Sequence, residues 1–273
     1  MKPPSHILVV TPTLGTSPYL DRTIASVAAQ AVPVRHVLAA PAAQLSRLKM
    51  RYPHTVVVPD AGRAGGIYGA LNAAFEQAPE SWSWFTYIND DDALLPGFSS
   101  VVRRHLSRRA PEPVTYGNVE LIDEQGRRTG TITVERSPAW IPALLQRGIS
   151  PLMQQGMLVR RDCVLRLDGF DLRYRLCADL DFWLRAYAAG ERFRHYGTAV
   201  AQFRLRAGQL SSNTALTIRE QDEIVARHLP NPVPAWRRRA AVWRYRLFNL
   251  PRYLGRFRSR GFRTSYQILE QSP

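Results

Sequence analysis

Short apolar runs alternate with helix-patterned segments through the first hundred residues, and this alternation limits the fold more than any other feature. His6 to Thr13, Arg35 to Ala40, Thr55 to Val58 and Trp84 to Ile88 read as strands, short and mostly rich in β-branched or aromatic residues. Between them, Ser17-Pro18 opens a helix with Leu20, Ile24, Val27 and Ala28 at helical spacing. Gly65-Gly66 leads into a second carrying Leu71, Ala74 and Phe75, and Pro96-Gly97 starts a third that ends near Arg108-Arg109. Strands and helices in this order build βαβ units. The expected class is α/β, a Rossmann-type, mostly parallel sheet flanked by helices.

Beyond residue 113 the pattern loosens. Val114-Thr115-Tyr116 and Val119 to Ile122 read as strand, with Asp123-Glu124-Gln125-Gly126 as a hairpin turn. Asp179 to Ala188 reads as a helix that buries Phe182, Trp183 and Tyr187, and Thr198 to Leu205 as a late strand. After Asn213 the composition turns to charged helix and then to an arginine-rich tail. One domain over 1–214 and a basic helical extension over 215–273 are expected. With 45% hydrophobic and 22% charged residues, the chain is neither collagen-like, disordered nor a disulfide scaffold. The longest aliphatic run near the start, Ile7 to Val10, falls far short of the roughly 20 residues of a membrane span. Cys163 and Cys177 form no CxxC, so a reduced, cytoplasmic compartment is expected.

The formal charge is +15, and lysine occurs only at Lys2 and Lys49. A GC-rich genome would enrich arginine with no functional cause. Its position says more: ten arginines and no acid lie between Trp236 and Arg263. Trp236, Ala240, Trp243, Leu247 and Leu250 recur in a 4-3-4-3 spacing that makes one helix face, and Arg237, Arg238, Arg239, Arg244 and Arg246 occupy much of the rest. Such a segment, 235–263, suits an anionic membrane surface. The plain alternative is a helix packed on the domain through those same tryptophans.

The run Asn89-Asp90-Asp91-Asp92 carries the most chemistry. It follows an apolar strand, and in open α/β sheets ligands bind outside the carboxyl ends of strands. Adjacent carboxylates repel one another unless a cation or hydrogen-bond donors offset them, and oxygen-rich clusters suit Mg2+ or Mn2+. A solvated acidic turn before Pro96 is the bland reading.

The run has company. Ile7-Leu8-Val9-Val10-Thr11-Pro12-Thr13 with Thr23 to Val27, Pro59-Asp60 with Gly66-Ile67-Tyr68 and Asn72, and Tyr87 to Asp92 with Leu95-Pro96-Gly97 follow in order. Tyr116-Gly117-Asn118, Gln155, Gly169-Phe170-Asp171 and Asp179 with Phe182-Trp183-Leu184-Arg185 continue the series. Together they resemble the family 2 glycosyltransferases over roughly residues 6–212. The resemblance implies a GT-A fold and inverting transfer of a sugar from a nucleotide diphosphate to a hydroxyl. It implies that Asp92 ligates Mn2+ or Mg2+, that Asp90 and Asp91 meet the ribose or assist the metal, and that Asp60 meets the base or ribose. Thr11, Pro12, Thr13 and Asn72 fall in its donor segments, Gln155 and Trp183 in its acceptor half, and Arg204 and Arg206 in a basic loop that grips the diphosphate. Asp179 becomes the general base.

Asp179 sits at a helix start, where an acid is favoured as a cap or dipole partner and its pKa tends to fall. Burial against Phe182 and Trp183 works the other way, which leaves the balance open. Donors of UDP, dTDP or GDP type, a saccharide or lipid-linked acceptor, and a role in bacterial surface polysaccharide or glycolipid synthesis follow from the resemblance. So does a place in the cytoplasm or on the inner face of the cell membrane. Ala40, Gly69, Ala178 and Gln154 depart from the family pattern. They keep open a domain of this type that binds without turnover. A nucleic-acid-binding protein working through the arginine and aromatic tail is the other alternative, which the acids at the strand end disfavour. Six histidines show no ligand spacing, and GxSxG, Walker and post-strand GxGxxG loops are absent.

Overall fold

The computed structural model describes residues 6–62, 65–78, 82–206, 209 and 213–254. Its core is one nine-stranded sheet. Strands β1 (His6–Pro12), β2 (Val34–Ala40), β3 (Val56–Pro59) and β4 (Trp82–Tyr87) lie parallel in the order β3-β2-β1-β4. Helices α1 (Leu20–Ala28), α2 (Leu45–Arg51) and α3 (Gly66–Gln77) connect them. Alternate side chains of β1 enter different apolar clusters, Leu8 and Val10 on one face and Ile7 and Val9 on the other. That two-sided burial is why the strand is apolar throughout.

Past β4 come β5 (Ala93–Leu94), α4 (Pro96–Leu106), β6 (Val114–Ile122), β7 (Arg128–Ile132), α5 (Ile141–Leu145), β8 (Leu158–Arg160), α6 (Arg161–Arg166), α7 (Ala178–Ala188) and β9 (Phe193–Arg204). They extend the sheet as β4-β8-β6-β9-β5, with β7 on β6. β6 and β9 run parallel, while β8 is antiparallel to both its neighbours. The two pieces expected at Val114 and Val119 are one strand, because Gly117 has no side chain. A Cβ there would meet Val200 and the Thr198 carbonyl of β9 at 2.5 and 2.6 Å. Strand β9 also begins five residues earlier than the sequence suggests; its first half is mostly half-buried or exposed and carries no clean alternation. Helix α2 escaped the sequence pattern because it buries only Leu48.

The segment expected as an extension is stitched to the domain. Helix α8 (Thr214–His228) inserts Ile224 into the main apolar cluster and buries Glu220. Helix α9 (Ala235–Phe248) packs Ala241 and Tyr245 against Ala143 and Leu144 of α5. Just past α9, Asn249 exchanges two hydrogen bonds with the backbone of Thr133, at 2.9 and 2.8 Å. The alternative of packing through the tryptophans does not hold: Trp236, Trp243, Leu247 and Leu250 share a face, and it is exposed. Arg256, Arg258 and Arg260 of the tail lie outside the described residues. No helix among the described residues is long and apolar enough to cross a membrane.

Candidate functional site

The order of the first four strands reverses between β1 and β4, and a crevice opens at the carboxyl ends of such a pair. β1 leads into Thr13 and β4 into the acidic run. Thr13 Oγ1 donates to Asp90 Oδ2 at 2.6 Å and accepts from the Gly15 amide at 3.0 Å, so one threonine ties the two strand ends together. Ser17 Oγ adds a bond to the Asp90 carbonyl at 2.9 Å. Burial holds the Asp90 carboxyl up at about 6, against the pull of the Thr13 hydroxyl.

Asp92 is only 1% exposed. Its Oδ1 accepts from the Arg204 amide at 2.8 Å, and its Oδ2 from Gln155 Nε2 at 3.1 Å and Asn89 Nδ2 at 3.4 Å. Burial first, and then the neighbouring Asp91, push its carboxyl well above the usual range. Asp91 Oδ2 accepts from Arg206 Nε at 2.7 Å. Arg206 therefore faces the acids.

Arg204 does not grip a ligand. It is 1% exposed, stacks over Tyr19 at 4.1 Å and donates to the carbonyls of Asp91, Asp123 and Glu124, each at 2.9 Å. Its guanidinium is a strut between the acidic run and the β6–β7 hairpin. Gln155 is likewise turned inward on Asp92. Trp183 is 3% exposed and sits in the core with its ring edge-to-face on Phe182.

The remaining expected donor residues divide. Asp60 ends β3 and caps a turn by accepting from the Gly62 amide at 2.9 Å. Thr11 is fully buried and its hydroxyl faces His36 Nε2 at 2.9 Å; Pro12 is buried beside it. Both amide atoms of Asn72 are spent on the Phe170 backbone, at 2.8 and 2.9 Å. Asn72 thus clamps α3 to the loop before α7.

Asp179 opens α7. Oδ1 accepts from Tyr68 Oη at 3.0 Å and from the Leu180 amide at 2.8 Å, whereas Oδ2 accepts from none of the described residues. Burial outweighs these donors and raises the carboxyl to about 6. Burial first, and then the charges of Asp179 and Asp92, push the Tyr87 phenol at the end of β4 well above its usual range. Sequence reasoning missed two supports of this arrangement. Tyr68 reaches Asp179 across 111 positions, and Glu220 of α8 accepts from the amides of Arg175, Leu176 and Cys177, each at 2.9 Å. Nothing local in the sequence marks contacts of that span.

The donor set suits a hard cation. Asp90, Asp91 and Asp92 crowd together, and Asn89 Oδ1 and Gln155 Oε1 are buried oxygens with no donor among the described residues. Among the described residues no three acidic, imidazole or thiol groups form a ready cage, so such an ion would take further ligands from substrate phosphate and water. Two other surface cavities, about 210 Å3 beside Arg194 and about 560 Å3 beside Thr131 and Arg252, contain none of these acids.

No family model matches the chain. Solved structures do. The mannosyltransferase PcManGT from Pyrobaculum calidifontis, in complex with GDP-Man and Mn2+, aligns over 98% of this chain and 81% of its own, with a TM-score of 0.61 and 15% identity. S. aureus TarS 1–349 in complex with UDP-GlcNAc aligns over 94% and 75%, with a TM-score of 0.59 and 17% identity. The fold is that of the GT-A glycosyltransferases. Curated relatives agree: PGL/p-HBAD biosynthesis glycosyltransferases of Mycobacterium bovis and Mycobacterium tuberculosis are 26% identical over 124 residues. That match spans 45% of this chain and 44% of theirs. Within the GT-A frame, the acidic run stands at the carboxyl end of β4, and Asp179 opens α7, bonded to Tyr68 of α3.

Proposed function

We propose that the protein is an inverting glycosyltransferase that moves a sugar from a nucleotide diphosphate to a hydroxyl of a saccharide or lipid-linked acceptor. The observation that carries this reading is Asp179: a half-buried carboxylate in a GT-A fold, locked through Oδ1 and open at Oδ2. Oδ2 takes the proton of the acceptor hydroxyl as its oxygen bonds to the anomeric carbon. The bond from that carbon to the diphosphate oxygen breaks on the opposite face, and the configuration inverts. Base catalysis of this kind contributes about 10²–10⁴-fold. A carboxyl near 6 is ionised at neutral pH yet basic enough to accept the proton.

The residues that would hold Mn2+ or Mg2+ are Asp92, with Asp90 and Asp91 beside it. The ion would neutralise charge on the departing diphosphate. Arg206 supplies a second positive group at the same place, paired with Asp91. Asp60 and Thr13 stand on the donor side, with Thr11 and Pro12 buried at the end of β1. UDP, dTDP and GDP sugars are the candidate donors; the neighbours bind UDP-GlcNAc in one case and GDP-Man in the other. Surface polysaccharide or glycolipid assembly, at the cytoplasmic side of the cell membrane, is the proposed setting.

Calorimetry with UDP, GDP and dTDP, with and without Mn2+, tests the donor site. Metal-dependent binding of one nucleotide, lost in Asp92→Ala, is expected; binding of none would sink the assignment. Asp179→Asn should keep nucleotide affinity and lose about 10²–10⁴ in turnover. Unchanged turnover would remove Asp179 as the base, and absent turnover in the native chain across donors would favour a binding domain.

A further inference from the structure

Helix α9 is pinned on one side only. Ala241, Tyr245 and Asn249 face the domain and are buried. On the opposite side, Trp236, Trp243 and Leu247 are 68%, 73% and 67% exposed, and the line continues through Leu250 and Leu254. At 100° per residue the first three fall within a narrow stripe of α9, and Leu250 and Leu254, just past its end, are exposed as well. A monomer has no reason to hold two indoles and three leucines open to water, and such patches mark surfaces that meet something apolar.

The charges identify what that is. Arg237 and Arg244 are drawn inward, to the Ala139 carbonyl and to the buried Glu135. Arg239 and Arg246 lie on the other flank of the stripe and are exposed. The helix carries no acid, so two copies laid face to face would oppose arginine to arginine. A further four arginines follow at Arg256, Arg258, Arg260 and Arg263. Indoles and leucines flanked by cations match the boundary between lipid phosphates and acyl chains. We infer that the outer face of α9 seats the protein on an anionic lipid surface, with Trp236, Trp243 and Leu247 inserted among the headgroups and Arg239 and Arg246 on lipid phosphates. The contact is independent of sugar transfer, and its test requires no donor or acceptor.

Co-sedimentation of the full chain with phosphatidylcholine vesicles, with and without phosphatidylglycerol, tests the inference. Binding to the anionic vesicles, weakened by salt, is expected. The double variant Trp243→Ala/Leu247→Ala should weaken binding about tenfold or more. Arg239→Gln and Arg246→Gln should each weaken it about fivefold. All four positions are exposed, so folding is not at stake, and Leu165→Ala, exposed on α6, is the control that leaves binding unchanged. No binding by the native chain overturns the inference, and so does binding undiminished by Trp243→Ala/Leu247→Ala. A dimer that Trp243→Ala dissolves, without vesicle binding, would assign the face to a second copy instead.

Discussion

Tyr68 donates its phenol hydrogen to Asp179 Oδ1 across 3.0 Å and shares it with the Leu176 carbonyl at 2.9 Å. The bond joins α3 to the first turn of α7 and fixes which carboxylate oxygen remains open. It also opposes the burial that lifts the Asp179 carboxyl. Position and basicity of the proposed base thus depend on one hydroxyl.

Tyr68→Phe keeps the ring against Phe170, 5.4 Å away, and removes only that hydroxyl. With a donor to the ionised form gone, the Asp179 carboxyl should rise further above 6. The acidic limb of the pH profile for kcat/KM should move up by about one unit, with a loss of about fivefold at the old midpoint. A limb that stays in place would show that Tyr68 does not act on the base.

Glu220→Gln leaves the shape and takes away the charge that three backbone amides share. Stability in urea should fall by about 2 kcal/mol, since at least one buried donor loses its partner. Because residues 175–177 lead directly into Asp179, kcat should fall several-fold while nucleotide affinity holds. A variant as active and as stable as the parent would contradict this role.

Gly97→Ala probes the close approach of α4 to β9. A Cβ at Gly97 would collide with the Ala199 carbonyl oxygen and crowd the Thr198 side chain. The backbone must shift, at a cost of about 2–3 kcal/mol. Gly197→Ala is the comparison: its Cβ would meet nothing within 4 Å, and thermal unfolding should barely change.

Glu112→Gln separates two opposite pH dependences. Arg194 donates to Glu112 at 3.0 Å and Arg108 pairs with it at 3.2 Å, and these partners hold its carboxyl down at about 2 instead of 4.5. The unfolded chain therefore binds more protons in this window, and stability falls as pH drops from 4.5 toward 2. Removing the charge should flatten that acid limb and cost about 1–2 kcal/mol at pH 7; both arginines are about two-fifths exposed, which limits the figure. Asp179, raised to about 6 from 3.8, acts with the other sign: its contribution weakens as pH rises through 4 to 6. Denaturation midpoints from pH 2 to 7 read both effects.

The acidic run of the candidate site was legible because it stands at a strand end. An apolar run that stops at Asn89 and continues as three aspartates announces both a parallel strand and a crevice at its carboxyl end. Asp179 was singled out only through its place in the ordered family motifs, at the start of a helix. The arginines were not legible. Arg204 is the last residue of β9 and Arg206 lies past its end, where the strand's alternation no longer holds; the first is turned into the fold beneath Tyr19 and the second pairs with Asp91.

The sequence by itself determined the alternation of elements, the acidic run, the helix that carries Asp179 and the single apolar stripe of α9. All are local periodicities, and local periodicity survives without tertiary contacts. Only the tertiary structure decided which side of α9 faces the domain. Ala241 and Tyr245 fit against α5 and Asn249 completes the Thr133 backbone, so the tryptophan stripe, which by spacing alone could have packed on the domain, is left outside. It alone decided, too, that Tyr68 and Glu220 hold the proposed base, because contacts across 111 and 43 positions depend on how helices pack and leave no trace in spacing.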